Sequence, residues 1–103
     1  MDPLLELRNT VVDEESFVRF LKALSEDRAD EVEKEKQKAF SPYTEGANGW
    51  QHSSIENFLD AAAAWAEDSN RESTILNGLP GYTKPTNPWK RCADIIYAGK
   101  FYE

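Results

Sequence analysis

Residues 13–38 read DEESFVRFLKALSEDRADEVEKEKQK, and the change of character halfway along decides what fold the chain builds. In the first half Phe17, Phe20, Leu21 and Leu24 recur at i, i+3, i+4 and i+7, which is one face of an α-helix. Asp13 stands where an N-cap belongs, and Glu14 and Glu15 follow where the helix dipole favours negative charge. Arg19 and Lys22 fall on the outer face. From Ser25 to Lys38 the pattern stops: ten of fourteen residues are charged, and only Ala29 and Val32 are apolar. Helix propensity stays high there, Asp30 and Lys34 attract at i, i+4 while Glu31 and Glu35 repel, and no core face is visible. The expectation is an amphipathic helix over 13–24, then a charged helix or connector over 25–38 with a solvated face.

Two more amphipathic helices follow. Ser53-Ser54-Ile55-Glu56 reads as a capping box, Ser53 at the N-cap and Glu56 at N3, opening a helix that runs to about Asp68. Ile55, Phe58, Leu59, Ala62, Trp65 and Ala66 share its apolar face. Glu56, Asp60 and Glu67 sit about 120–140° away, and Ala61 to Ala64 leave a smooth flank between them. Asn87-Pro88 opens the last helix as N-cap and N1. Trp89, Cys92, Ala93 and Ile96 are expected inward, Lys90, Arg91 and Asp94 outward, with Gly99 as the C′ residue that ends it.

Two long loops separate the helices. Ala39 to His52 is punctuated by Pro42, Gly46, Asn48 and Gly49 and carries the aromatics Phe40, Tyr43 and Trp50, which either pin the loop to the core or present a binding surface. Asn70 to Thr86 holds Gly78, Pro80, Gly81 and Pro85, with Ile75, Leu76 and Leu79 to tack it down. The expected fold is all-α: a small helical bundle of three amphipathic helices plus one charged helix over 25–38. Its core is Phe17, Phe20, Leu24, Phe58, Trp65, Trp89 and Ile96.

The length of 103 residues implies a single domain over 1–103. An aromatic share of 12% supplies bulk for a thin core, and 40% hydrophobic residues beside 30% charged argue against disorder. No apolar run approaches the roughly 18–20 residues of a membrane span, and MDPLLELRNTVVDEESF has no secretion-signal pattern. One cysteine, Cys92, permits no intrachain disulfide, so a cytoplasmic protein is expected.

The net charge of −7 is placed rather than spread. Between Ala39 and Asn70 stand Glu45, Glu56, Asp60, Glu67 and Asp68 with no lysine or arginine, whereas residues 71–103 sum to +2. Such a surface repels nucleic acid and anionic lipid and attracts a cationic partner.

Chemistry is weakly represented. A Cys–His pair would need Cys92 with His52, and Cys92 is expected to be buried and inert beside Trp89 and Ala93. No phosphate loop, nucleophile elbow or dinucleotide fingerprint appears, so no cofactor is expected. His52, Glu56 and Asp60 are spaced by four, a conceivable metal stripe, but a helix beginning at Ser53 takes His52 out of register. Lys84, Lys90, Arg91 and Lys100 are too few cations for a nucleic-acid footprint. What remains is a non-enzymatic binding domain with a cationic protein partner. Glu45, Glu56, Asp60 and Glu67 would steer the encounter, and Tyr43 and Trp50 would anchor it.

The pattern Phe17-x-x-Phe20-Leu21-x-x-Leu24, Trp50, Ile55-x-x-Phe58-Leu59-x-Ala61-x-x-Ala64-Trp65, and Pro88-Trp89-x-x-x-Ala93-x-Ile95-Ile96-x-x-Gly99-Lys100-x-Tyr102-Glu103 resembles a family of small bacterial domains. Members of that family occur among immunity proteins, the antidotes encoded beside polymorphic and contact-dependent toxins. The resemblance covers the chain from Asp13 onward, outside the charged stretch and the Asn70–Thr86 loop. It implies binding and neutralisation of a cognate toxin domain, a nuclease by preference, through steric cover of its active site or substrate surface. It supplies no catalytic residues. Two alternatives stand beside it: a small enzyme or metabolite-binding domain using the cleft between the loops, and an adaptor module without a toxin.

Overall fold

Asp13 caps a helix, but that helix does not end where its apolar pattern does. The computed structural model describes residues 3–37, 48–70 and 82–102. Four helices lie among them: α1 (Pro3–Asn9), α2 (Glu14–Gln37), α3 (Ile55–Asn70) and α4 (Pro88–Ala98), with no strand among the described residues. At the start of α2 the Ser16 amide donates to Asp13 Oδ1 at 2.9 Å, while the amides of Val12 and Asp13 donate back to Ser16 Oγ at 2.9 and 3.1 Å. This is a reciprocal cap with serine in the role usually taken by Glu or Gln.

The charged half of the sequence continues α2 without a break to Gln37. The expectation that it has no core face is overturned. Phe20 and Leu24 are buried, and the same line of the helix continues one and two turns on as Asp27 and Glu31, Glu31 fully buried. Glu31 pairs with Arg28 and accepts the amides of Asn48 at 3.2 Å and Trp50 at 3.0 Å. Asp27 accepts the Trp50 indole N–H and the Lys100 ammonium. A carboxylate enters a core when its lone pairs are met by converging donors, and here they are.

α1, which sequence patterning does not assign, closes the other side with Leu4 buried, and Val11 is buried in the turn that follows it. α4 is the central element, packed against α1, α2 and α3, whereas α3 packs against α4 alone. Asn87 caps α4 as expected, accepting the amides of Trp89 and Lys90, and its own amide donates to the Val12 carbonyl at 2.9 Å, tying α4 to the α1–α2 turn.

The inward face of α4 is rotated from the expected one. Ala93, Asp94, Tyr97 and Ala98 are buried, Trp89 and Ile96 are half-buried, and Cys92, expected inside, is exposed. Asp94, expected outside, is 1% exposed because Lys90 Nζ, Tyr82 OH at 2.7 Å and the Arg8 guanidinium at 3.4 Å converge on it. Gly99 follows α4 with φ −57°, an ordinary right-handed conformation rather than the left-handed one expected of a C′ glycine. Its missing side chain serves close packing: a Cβ there would stand 2.9 Å from both Phe58 Cε1 and the Phe58 carbonyl oxygen.

α3 also starts and turns differently. Its N-cap is Ser54, which accepts the Asn57 amide at 3.1 Å, so the Ser53/Glu56 capping box does not form. Phe58, Ala61, Ala62, Trp65 and Ser69 face inward, while Ile55 and Leu59 stay in solvent. A helix with one neighbour buries a narrow stripe, and the apolar arc of α3 is wider than that stripe. Of the expected core, Phe20, Leu24 and Trp65 are buried, and Phe17, Phe58, Trp89 and Ile96 pack half-buried against the cluster of Phe20, Leu24, Leu4, Val11 and Ala93. Trp50 and Tyr97 complete it. Among the described residues, no helix is long and apolar enough to cross a membrane.

Candidate functional site

Because α2 and α3 both rest on α4 without touching each other, a valley lies between them. Its α2 wall is Leu21, Leu24, Ser25 and Arg28, its α3 wall is Ile55 with Ser53 and Ser54, and its floor is Trp50, Phe58 and Ile96. The hollow is open to solvent, holds ≈ 340 Å³, and its lining is mostly apolar.

The floor is held firmly. Trp50 is 8% exposed and stacks on Phe58 with ring centroids 5.9 Å apart. Arg28 and the Lys100 ammonium each lie 5.6 Å from its ring centroid, within cation–π range. Beside it the chain pairs with the tail after α4: the Gln51 amide donates to the Lys100 carbonyl at 3.0 Å, and His52 Nε2 lies 2.7 Å from the Tyr102 carbonyl. A carbonyl only accepts, so His52 carries its proton on Nε2.

Above the valley, on the solvent side of α3, Glu56, Asp60 and Glu67 form an exposed crest. None of the three has an ion pair or side-chain hydrogen bond among the described residues. Several other carboxylates are paired, Asp27 with Lys100, Asp30 with Lys34, Glu31 with Arg28 and Asp94 with Lys90, whereas Glu6, Glu14 and Glu26 share the crest's lack of a partner among the described residues. Asp68 accepts the Tyr102 hydroxyl. Between crest and valley, Ile55 is 77% and Leu59 55% exposed. Large aliphatic side chains this exposed, side by side on one helix and bordering an apolar trough, form a contiguous patch of the kind that marks contact surfaces.

The residues expected to bind a partner are therefore divided. Glu56, Asp60 and Glu67 come together on the crest. Trp50 is a floor residue with its indole N–H already bonded, so it offers a ring surface rather than a protruding anchor. Tyr43 and Glu45 lie outside the described residues. Ile55, Leu59 and Leu21 are the members that sequence reasoning placed on the apolar faces of their helices. Their spacing is that of a buried face, and only the absence of α2–α3 contact leaves them open.

The cationic C-terminal region is spent internally. Lys90 pairs with Asp94 and Lys100 with Asp27. Arg91 donates to Ser69 Oγ at 2.7 Å, the Ala66 carbonyl at 2.9 Å and Tyr82 OH at 3.3 Å, closing the C-terminal end of α3. Burial, then the hydrogen bond to Asp94, pushes the Tyr82 hydroxyl above the ordinary tyrosine value. Among the described residues, no three His, Cys, Asp or Glu side chains are grouped to hold a metal ion.

Residues 13–103 match a family of unknown function, DUF7660, and the chain belongs to that family. The matched span opens at the Asp13 cap and contains α2, α3 and α4, with α1 ahead of it. No curated protein and no solved structure matches the chain.

Proposed function

We propose that this DUF7660 domain is a cytoplasmic protein-binding domain without catalysis of its own, an immunity protein that neutralises a toxin domain acting on nucleic acid. The observation that carries the reading is the crest of α3: three exposed carboxylates with no partner, beside Ile55 and Leu59 left in solvent. The lack of a partner holds among the described residues; an exposed helix ordinarily mixes both signs, and the 32 residues from 39 to 70 hold no lysine or arginine. A toxin that cuts nucleic acid needs a cationic surface for phosphate. An acidic face matches that surface, speeds encounter, and excludes the substrate by charge and bulk.

The test is titration of the cognate toxin with wild type and with the triple variant Glu56→Lys/Asp60→Lys/Glu67→Lys, at low and high ionic strength. These positions are exposed, so helicity by circular dichroism stays near wild type. Binding is lost in the variant, and salt weakens the wild-type complex through a slower on-rate. A folded triple variant that binds as tightly as wild type sinks the reading.

A second reading, a small metabolite-binding domain, is favoured by the apolar space of ≈ 340 Å³. It requires a small molecule that raises the melting temperature of wild type and triple variant alike.

A further inference from the structure

We infer that the valley between α2 and α3 seats an amphipathic helix of the partner, apolar toward the floor and basic along the side that meets Glu56, Asp60 and Glu67. The inference rests on the partner-binding reading above and names its mode. Three observations converge on it.

The first is architectural. α2 and α3 each pack on α4 and not closely on each other, and an apolar hollow lies between them.

The second is chemical. Each wall offers an exposed aliphatic side chain, Leu21 on α2 and Ile55 on α3, and Leu59 lies exposed one turn beyond Ile55. Below them Phe58, Trp50 and Ile96 close the floor. Apolar side chains at i, i+3, i+4 and i+7 of an incoming helix find walls and floor in that order of depth.

The third is electrostatic, and it selects the occupant. Beyond Ile55 and Leu59 the α3 crest of Glu56, Asp60 and Glu67 is exposed and, among the described residues, unpaired, while Arg28 in the valley lining is already bound to Glu31. The complement is therefore a helix with its cations on one side. A second copy of this chain fits poorly, since it carries −7 and its own α3 crest repeats the same sign.

The experiment uses the full chain and a synthetic helix-stapled peptide of about 14 residues, about four turns. Leucines stand at i, i+3, i+4 and i+7 and lysines on one flank; a control peptide has glutamate at each lysine. Binding is read by fluorescence polarisation against wild type, the wall variant Leu21→Ser/Ile55→Ser, whose charge is unchanged, and the crest variant Glu56→Lys/Asp60→Lys/Glu67→Lys. The leucine–lysine peptide is expected to bind saturably at one per chain, and the glutamate peptide at least tenfold more weakly. The wall variant is expected to lose about tenfold or more in affinity. A wall variant that binds like wild type while the crest variant does not overturns the valley as the seat and leaves the acidic crest as the partner surface. A peptide that binds none of the three proteins also overturns the valley, and the partner reading is then decided by the toxin titration. Sedimentation analysis supplies the remaining outcome: a concentration-dependent dimer that Ile55→Ser abolishes assigns the valley to a second copy and overturns the inference.

Discussion

The indole N–H of Trp50 donates to Asp27 Oδ2 at 2.8 Å, and the same oxygen accepts the Lys100 ammonium at 2.9 Å. One carboxylate thus binds α2 to the segment before α3 and to the tail after α4, across 23 and 73 residues of sequence. The Asp27 side chain is 24% exposed, so solvent screens part of the pair with Lys100, and the bond to the indole is the better-shielded half. Asp27→Ala strands an indole N–H and an ammonium together. The expected loss is about 2 kcal/mol, or roughly 10 °C in melting temperature for a domain of this size. Glu26→Ala, on the exposed neighbour, should stay within about 0.5 kcal/mol. Urea unfolding of the two variants side by side gives the comparison, and equal midpoints would remove Asp27 from the account of the fold.

Gly99→Ala tests close packing against helix propensity. Propensity alone favours alanine by up to about 1 kcal/mol, and φ −57° is open to it. The Phe58 carbonyl oxygen 2.9 Å from the added Cβ is backbone and cannot swing aside, so α3 must shift. The expected result is a destabilisation of about 1–3 kcal/mol, visible as a lower urea midpoint. A stabilised variant would show that α3 and α4 are not this close.

Stability against pH should decline at both ends, for different residues. Burial and the bond to Asp94 raise Tyr82 above its unfolded value of about 10, so its stabilisation is complete below that pH and is lost as pH rises through the folded value. Tyr82→Phe should flatten the alkaline decline in urea midpoint above about pH 10. Asp13 is shifted the other way, chiefly by the Ser16 amide and then by the Ser16 hydroxyl. Its contribution is present above about pH 4 and is lost as pH falls through the depressed value. Asp13→Asn keeps the cap and removes the titration, so it should flatten the acid side. Unchanged slopes in these variants would assign the decline to other groups.

How much of the candidate site was legible is clearest on α3. The crest of Glu56, Asp60 and Glu67 follows from helical spacing alone, whichever side of the helix is buried. The valley does not. Ile55 and Leu59 have the spacing of core residues, and nothing in their neighbourhood of sequence reveals that α3 has a single helical neighbour. Gly99 shows the same division: a glycine at a helix end is an expected feature, but its purpose, room for Phe58, belongs to a contact between two helices.

By itself, the sequence determined what is local. Asp13 and Asn87 cap their helices, Phe20 and Leu24 set the inward line of α2, and the cation-free stretch fixes an acidic surface on α3. Tertiary structure decided which polar groups go inside. Asp27, Glu31 and Asp94 look like solvated charges, because a carboxylate in water is stable wherever the chain places it. Removing one from water is offset only when several donors converge on it. Those donors, Asn48 and Trp50 for Glu31, Trp50 and Lys100 for Asp27, Tyr82 and Arg8 for Asp94, arrive from 12 to 86 positions away, which no local pattern records.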